Sequence, residues 1–279
     1  LKELCDKSYD ENEFATCLGG PEVGESFTQL KFDHLLYTGG GSVAKHVMNA
    51  ASKNLVPCTL ELGGKSPVVI GKSADLKTTA KRIMFGKTLN AGQICLAPDY
   101  VVVHKDQKDE FIKETKDAVS QYYPSLKDNE DYTSVINQKH YDRLKDLLDD
   151  AIEKGAHVDE INPSNEDFSQ QEFYKIPPTI VTNTSDDMKI MQEEIFGPLL
   201  PVVEYDEIGE ATALINSKDK PLGLYYFGNN TAEENDLLNK TSSGGVTVNN
   251  VISHLQQNDL SFGGVGPSGM GSYKSFEGF

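Results

Sequence analysis

The chain has 279 residues, 38% hydrophobic and 25% charged, which is the balance of a soluble globular protein with one large or two ordinary domains. Its net charge of −17 disfavours nucleic acid and anionic membranes as partners, because both bind basic surfaces. No apolar run approaches the roughly 20 residues that span a bilayer. Four cysteines fit neither a zinc pattern nor a disulfide framework, so they indicate a reducing, intracellular compartment.

Apolar runs alternate with amphipathic stretches along the chain, and this pattern predicts an α/β fold. The first unit is a strand at 34–38, three glycines at 39–41, a helix from Ser42 to Asn54, and a strand at 57–62. Ser42 is the expected N-cap of this helix. A strand, a glycine-rich turn, a helix and a strand together form half of a doubly wound nucleotide-binding sheet.

Further predicted elements follow in alternation. Helices are expected at 75–90, 106–122, 138–154 and 207–216, and strands at 100–104, 198–204 and 222–227. The polar segment 162–172 is predicted to be a surface loop. The glycine-rich segment 263–271 is predicted to be an ordered turn region beside a site. Because the first residue is Leu1 rather than Met, the natural start is expected upstream.

Cys95 is the first candidate for a reactive side chain. It ends the segment 90–95 (NAGQIC), where Gly92 permits a tight turn that presents the thiol and its amide on the same side. A thiol with a pKa of about 8.5 needs help to ionise at neutral pH. The alternative for this residue taken alone is a buried structural thiol. That is the prediction for the three cysteines without a comparable setting: Cys5, Cys17 and Cys58.

Glu61 is the candidate helper of the thiol. It ends an apolar strand and precedes two glycines, a position where α/β folds place catalytic groups. Its carboxylate would take the thiol proton or activate water. The alternative is an exposed acid at a strand end.

Two segments are candidates for cofactor binding. The glycines at 39–41 would admit a pyrophosphate at a helix N-terminus, or form an ordinary turn. The segment 193–198 (EEIFGP) offers a carboxylate for ribose hydroxyls and an aromatic ring for stacking, or is a helix end followed by a turn. No histidine pairs with a second ligand at metal-binding spacing, so no metal site is predicted.

Five segments, in order, closely resemble the aldehyde dehydrogenase superfamily. They are 36–39 (LYTG), 60–67 (LELGGKSP), 90–95 (NAGQIC), 193–198 (EEIFGP) and 262–264 (FGG). Glu61 and Cys95 also have the family's spacing. The finer match is to the class 3 and fatty aldehyde dehydrogenase branch, through the segments 97–100 (APDY), 191–194 (MQEE), 241–246 (TSSGGV) and 266–273 (GPSGMGSY).

The resemblance implies an aldehyde dehydrogenase fold. Residues 1–62 would be the second half of a Rossmann-type NAD(P)-binding domain, 63–264 an α/β catalytic domain, and 265–279 a segment returning toward the cofactor or oligomerisation region. The implied reaction is oxidation of a long-chain aliphatic or aromatic aldehyde to the acid with NAD or NADP. Cys95 would form a thiohemiacetal and then a thioester, and Glu61 would activate the hydrolytic water.

The remaining site residues also follow from the resemblance. Glu194 would bind the nicotinamide ribose, and Phe196 would pack near it. The oxyanion would be held by the Cys95 amide and an upstream asparagine. The full set of implied cofactor contacts is Gly39, Gly40, Leu62, Glu194 and Phe196. The implied aldehyde pocket consists of Ile94, Leu96 and Phe262.

The sequence departs from the family in several respects. Gly40 stands where the family commonly has serine, and the upstream motif that carries the oxyanion asparagine does not occur in these residues. The branch's C-terminal extension, which anchors some members to membranes of the endoplasmic reticulum, mitochondria or lipid droplets, is expected to lie outside these 279 residues. The resemblance implies a homodimer at full length. The 279 residues alone are expected to be inactive, because half a Rossmann sheet exposes apolar edges.

Two other functions remain as alternatives. One is a hydrolase that uses Cys95 and Glu61 on esters. The other is a non-catalytic structural relative that keeps the fold. The cofactor motifs disfavour the first, and the intact candidate residues disfavour the second.

Overall fold

The structure is a computed structural model that describes residues 2–278. The helices are α1 (Lys2–Ser8), α2 (Pro21–Phe27), α3 (Gly41–Ser52), α4 (Leu76–Thr88), α5 (Lys108–Tyr122), α6 (Gln138–Glu153), α7 (Lys189–Gln192), α8 (Ile208–Asn216), α9 (Thr231–Lys240) and α10 (Ser275–Gly278). The strands are β1 (Leu35–Thr38), β2 (Cys58–Glu61), β3 (Pro67–Ile70), β4 (Tyr100–His104), β5 (His157–Glu160), β6 (Thr179–Thr182), β7 (Leu199–Tyr205), β8 (Gly223–Phe227), β9 (Gly245–Val248) and β10 (Gly269–Met270). The predicted α/β fold is therefore confirmed.

The smaller of two sheets contains the predicted half of a nucleotide-binding unit. β1 and β2 are parallel, with Leu35 opposite Cys58 and Thr38 opposite Glu61, and α3 connects them. β10 pairs antiparallel with the other side of β2. The apolar face of α3 is buried through Ala44, Val47 and Ala51.

The start of α3 differs from the prediction. The helix begins at Gly41, its N-cap is Gly40, and no side chain caps it. Ser42 is therefore not the N-cap but lies within the first turn. Gly40 has extended backbone angles, and its carbonyl accepts from the Ala44 amide at 3.1 Å, so the helical hydrogen bonds begin before the chain reaches the serine.

The larger sheet has seven strands in the order β5-β6-β7-β4-β3-β8-β9. Its neighbouring strands run parallel, apart from the antiparallel pair β5 and β6. β3, β4 and β8 are buried along their whole length, as expected for parallel strands that are covered on both faces. α4 and α5 pack on one face, and α6, α8 and α9 pack on the other.

Most predicted elements agree with the structure apart from their ends. The expected helix at 75–90 is α4, which Asp75 caps through the Thr78 amide and which ends at Thr88. The expected helix at 106–122 is a short 3₁₀ turn followed by α5. The segment 162–172 contains no helix or strand, as predicted.

The cysteines outside the candidate site differ from one another in exposure. Cys5 is buried, as predicted, but Cys17 is exposed and Cys58 is half-buried, so the prediction is wrong for Cys17. Within residues 2–278, no helix is long and apolar enough to cross a membrane.

Candidate active site

Cys95 follows a backbone turn with three consecutive residues in the left-handed region. Asn90, Ala91 and Gly92 have φ angles of 52°, 52° and 73°. Gly92 is sterically required, because a Cβ there would lie 2.3 Å from the carbonyl oxygen of Gly197. Such backbone is strained for residues other than glycine and persists only where the surroundings fix it.

The side chain of Gln93 stabilises this turn through three hydrogen bonds. Its side-chain nitrogen donates to the carbonyls of Asn90 at 2.9 Å and Ser134 at 3.0 Å. Its side-chain oxygen accepts from the Ile136 amide at 2.9 Å. Both polar atoms of the Gln93 side-chain amide therefore tie the turn before Cys95 to the segment that precedes α6.

Glu61 is the last residue of β2 and is only 2% exposed. The alternative of an exposed acid at a strand end is therefore wrong. Its Oε1 atom is buried and accepts no hydrogen bond from any residue that the structure describes. Burial raises the pKa of this carboxyl, and the facing Cys95 thiol opposes that rise. A buried carboxylate with a free oxygen is available to accept a proton.

The Cys95 thiol is protonated at neutral pH. Burial raises its pKa to about 12, and the carboxylates of Glu61 and Glu194 add to the rise because they disfavour a neighbouring thiolate. The sulfur therefore becomes a strong nucleophile only when its proton is removed as it reacts. Glu61 is positioned to remove it.

A cavity of about 560 Å³ brings most of the predicted site residues together. Its walls include the carboxyl ends of β1 and β2 and the segments that precede β4 and β7. The predicted residues on these walls are Gly39, Gly40, Glu61, Ile94, Cys95, Glu194 and Phe196. Glu61 thus lies at the carboxyl end of a strand in the small sheet, whereas Cys95 and Glu194 lie at the amino edge of the large sheet.

Glu194 lies between this cavity and a second one that shares Gly63 with it. Its carboxylate fits closely against Gly63, where a Cβ would lie 2.0 Å from the nearer oxygen. Burial raises the pKa of Glu194 to about 7, and the Gly64 amide counteracts part of that rise. Leu62 lines the second cavity and not the first.

Two predicted pocket residues lie away from the cavity that contains Cys95. Leu96 is fully buried in the core, where its carbonyl accepts the Tyr225 hydroxyl at 2.7 Å. Its side chain has no exposed surface, so the assignment to an aldehyde pocket is not supported here. Phe262 is also buried, in the core cluster against which Ile94 and Cys95 pack. Its role in an aldehyde pocket stays a prediction.

Several residues of the cavity were not predicted. His140 and Arg143 both reach it from the first turns of α6. Arg143 donates to the carbonyls of Glu194 at 3.1 Å and Ile195 at 2.5 Å. The spacing of three residues places both on one helix face. Nothing in the sequence indicates that this face meets the segment after α7.

The arrangement fits a nicotinamide dinucleotide. Added Cβ atoms at Gly40 and Gly41 would meet nothing within 4 Å, so the space before the twelve-residue helix α3 is open to a pyrophosphate. Glu194 presents carboxylate oxygens to the cavity, and such oxygens can accept hydrogen bonds from hydroxyl groups. Phe196 is 38% exposed on the same cavity, with an apolar ring for packing.

Comparison of the sequence with known proteins agrees with this chemistry. The profile of the aldehyde dehydrogenase family matches residues 3–279. A probable coniferyl aldehyde dehydrogenase of Caulobacter vibrioides is 58% identical over 279 residues, which are 100% of this chain and 58% of that protein. Aldehyde dehydrogenase family 3 member A2 of Rattus norvegicus is 42% identical over 275 residues, 98% of this chain and 54% of that protein. The predicted resemblance to the class 3 branch is thereby confirmed.

Solved structures show the same likeness. Staphylococcus aureus AldH, in a substrate-bound state, superposes with a TM-score of 0.92 at 39% identity, covering 100% of this chain and 59% of that one. Betaine aldehyde dehydrogenase of the same organism, in complex with NAD+, gives a TM-score of 0.83 at 28% identity, covering 94% and 52%. This chain thus spans just over half the length of the relatives that it matches. It belongs to the aldehyde dehydrogenase family.

Proposed function

We propose that this chain supplies the nucleophile, the general base and part of the cofactor site of an enzyme that oxidises an aldehyde to a carboxylic acid with NAD or NADP. The observation that carries the proposal is one cavity with Cys95, Glu61 and Glu194 on its walls. The first two are what acyl chemistry through a thiol requires, and the third is what a ribose requires.

The chain's own residues have defined tasks in this reaction. Glu61 accepts the thiol proton as the sulfur of Cys95 bonds to the aldehyde carbon, and the Cys95 amide donates to the oxygen that becomes an anion. Glu194 and Phe196 would hold a bound NAD(P)+, which would supply the hydride acceptor, and loss of the hydride from the substrate carbon would leave an acyl group on the sulfur of Cys95. Glu61 releases the thiol proton to solvent and then accepts a proton from the water that attacks this thioester. It returns that proton to the sulfur of Cys95 as the acid leaves, so the thiol reforms.

We propose an aromatic aldehyde as the first substrate class to test. The Caulobacter relative named for coniferyl aldehyde shares 58% of the residues. Long-chain aliphatic aldehydes are the second class, on the resemblance to the fatty aldehyde branch.

The domain roles are also part of the proposal. Residues 1–62 would contribute to cofactor binding, 63–264 would form the catalytic domain, and 265–279 would return to the cofactor side. The pairing of β10 with β2 supports that return. A homodimer, membrane association through a tail outside these residues, and inactivity of the 279 residues alone remain proposals.

The test uses the protein at its natural length, with coniferyl aldehyde or decanal and either NAD+ or NADP+. Aldehyde-dependent NAD(P)H formation is expected, and Cys95→Ala is expected to abolish it. Cys58→Ala is the matched control, because that half-buried thiol lies on β2 outside the cavity and should retain activity. NAD(P)H formation by Cys95→Ala would refute the proposal. Hydrolysis of an aryl ester without any NAD(P)H formation would favour the hydrolase alternative.

A further inference from the structure

A buried ion pair joins the segment of the base to the segment of the nucleophile. Lys65 follows Glu61 by four residues, and Asp99 follows Cys95 by four. The lysine ammonium contacts Asp99 Oδ1, and the two residues are 8% and 3% exposed. Burial of a charged pair is costly unless every polar atom of it is hydrogen-bonded, so the remaining partners of this pair are informative.

Those partners all belong to the segment 190–196, which contains Glu194. Lys65 Nζ donates to the carbonyls of Ile190 at 2.7 Å and Glu193 at 2.9 Å. Asp99 Oδ2 accepts from the Ile195 amide at 2.8 Å. All three ammonium donors therefore have acceptors, and two side chains hold the backbone on both sides of Glu194.

The segment needs such anchors because its conformation is unfavourable by itself. Phe196 has a φ of 47°, in the left-handed region that aromatic residues rarely adopt. Glu194 keeps its carboxylate in a half-buried place that disfavours the charge. An unanchored segment would relax toward ordinary backbone angles and carry the carboxylate away from the cavity.

Besides Asp99, the carboxylate of Glu194 also acts on the buried lysines of this cluster. Lys87, 1% exposed on α4, is a second buried lysine whose charge Asp99 favours and Lys65 disfavours. Without the carboxylate of Asp99, the buried lysines Lys65 and Lys87 would face each other in this cluster. Lys65 and Asp99 are therefore coupled, because each buried charge depends on the other as its counter-charge.

We propose that Lys65 and Asp99 are positioning residues, which fix the segment 190–196 relative to Cys95 and Glu61 and thereby set how the cofactor ribose is held. This inference rests on the proposed function. It assigns to the pair a role in cofactor affinity that is separable from its role in folding.

The test separates these two roles with the double variant Lys65→Met/Asp99→Leu. Apolar residues of similar volume often replace a buried ion pair without loss of stability. The double variant removes both charges together and should therefore stay folded, with a lower melting temperature because the buried Ile190 carbonyl and Ile195 amide lose their partners. Its KM for NAD(P)+ should rise at least about tenfold, because the anchors at Ile190, Glu193 and Ile195 are gone. Alkylation of Cys95 by iodoacetamide should keep its rate, since Gln93 still holds the nucleophile's turn.

Asp99→Asn gives a second measurement, made on the wild-type background and at a temperature where circular dichroism shows that this variant is folded. It keeps an acceptor for Ile195 but leaves Lys65 without a counter-charge, and a smaller rise in KM is expected. Lys175→Met is the matched control. Lys175 is also buried and donates to two carbonyls, those of Leu126 and Asn129, but lies outside the cavity. The Lys175→Met variant should be less stable than the wild type but should have the same KM for NAD(P)+.

The outcomes are distinguishable. A wild-type KM in a folded double variant would overturn the positioning role while leaving the proposed function intact. Equal rises in KM for Lys175→Met and the double variant would also overturn it. If the wild type formed no NAD(P)H from any aldehyde, the proposed function would fail. The positioning role would then be judged by nucleotide affinity, measured through fluorescence of bound NADH, and equal affinity of wild type and double variant would overturn it.

Discussion

Gly92→Ala perturbs the nucleophile's turn at its tightest point. Gly92 has a φ of 73°, and an added Cβ would lie 2.3 Å from the Gly197 carbonyl oxygen. An L residue at this φ costs about 1–2 kcal/mol. Relief of the contact to an ordinary 3.4 Å requires a displacement of roughly 1 Å. Because the opposing atom is backbone, the displacement falls on the turn that carries Cys95.

A displacement of that size in a reacting group costs on the order of 100-fold in rate. The assay measures the rate of the pre-steady-state burst of NAD(P)H formation, with saturating aldehyde and with the protein at its natural length. Gly92→Ala is expected to lower the burst rate about 100-fold, with a modest fall in melting temperature.

Gly155→Ala is the matched control, because it separates backbone strain from the steric clash. Gly155 has a φ of 94°, and an added Cβ there would meet nothing within 4 Å. It follows α6 and lies outside the cavity, so it shares the strain but not the displacement. If Gly92→Ala kept the wild-type burst rate, or if Gly155→Ala lowered it equally, the steric reasoning would be wrong.

Three further predictions concern the titratable residues. With the pKa of Glu194 raised to about 7, its carboxylate form predominates only above that pH; the KM for NAD(P)+ should therefore rise as pH falls from 8 to 6, and Glu194→Gln should remove this dependence. With the pKa of Cys95 near 12, its alkylation by iodoacetamide in the absence of cofactor should accelerate about tenfold per pH unit from 7 to 10, and a plateau near pH 8.5 would contradict the high pKa. Glu61→Gln should slow steady-state turnover about 10²–10⁴-fold, since general-base catalysis of thioester hydrolysis is lost; an unchanged rate of acid release would argue for another base.

The sequence indicated which residues form the candidate site better than it indicated how they are arranged. Glu61 and Cys95 were identifiable because short motifs surround each of them, and both line one cavity. The sequence predicted the strained turn only at Gly92, because glycine is the residue type that most readily adopts a positive φ. Asn90 and Ala91 share that backbone, but their conformation is imposed by contacts such as the Gln93 hydrogen bonds, which no local pattern reveals.

Elements at the edges of the large sheet were missed for a related reason. β5 carries the sequence HVDE and has no buried residue, so it lacks the apolar signal that marks β4. Its strand form comes from pairing with β6, which is a tertiary effect. Leu96 shows the converse, because an apolar residue beside the nucleophile is equally compatible with a substrate wall and with the core that it joins.

The placement of the site between two sheets explains why its organisation depends on long-range contacts. Glu61 extends from the carboxyl edge of the small sheet, while Cys95 and Glu194 precede strands at the amino edge of the large one. Residues so distant in sequence share no local pattern, and only packing between the sheets brings them together. Lys65 and Asp99 are 34 residues apart, yet they pair with each other. Together they contact the segment 190–196, which lies almost a hundred residues further along the chain. A buried ion pair at such a junction is therefore expected to affect the relative positions of the catalytic groups more than the folding of either sheet.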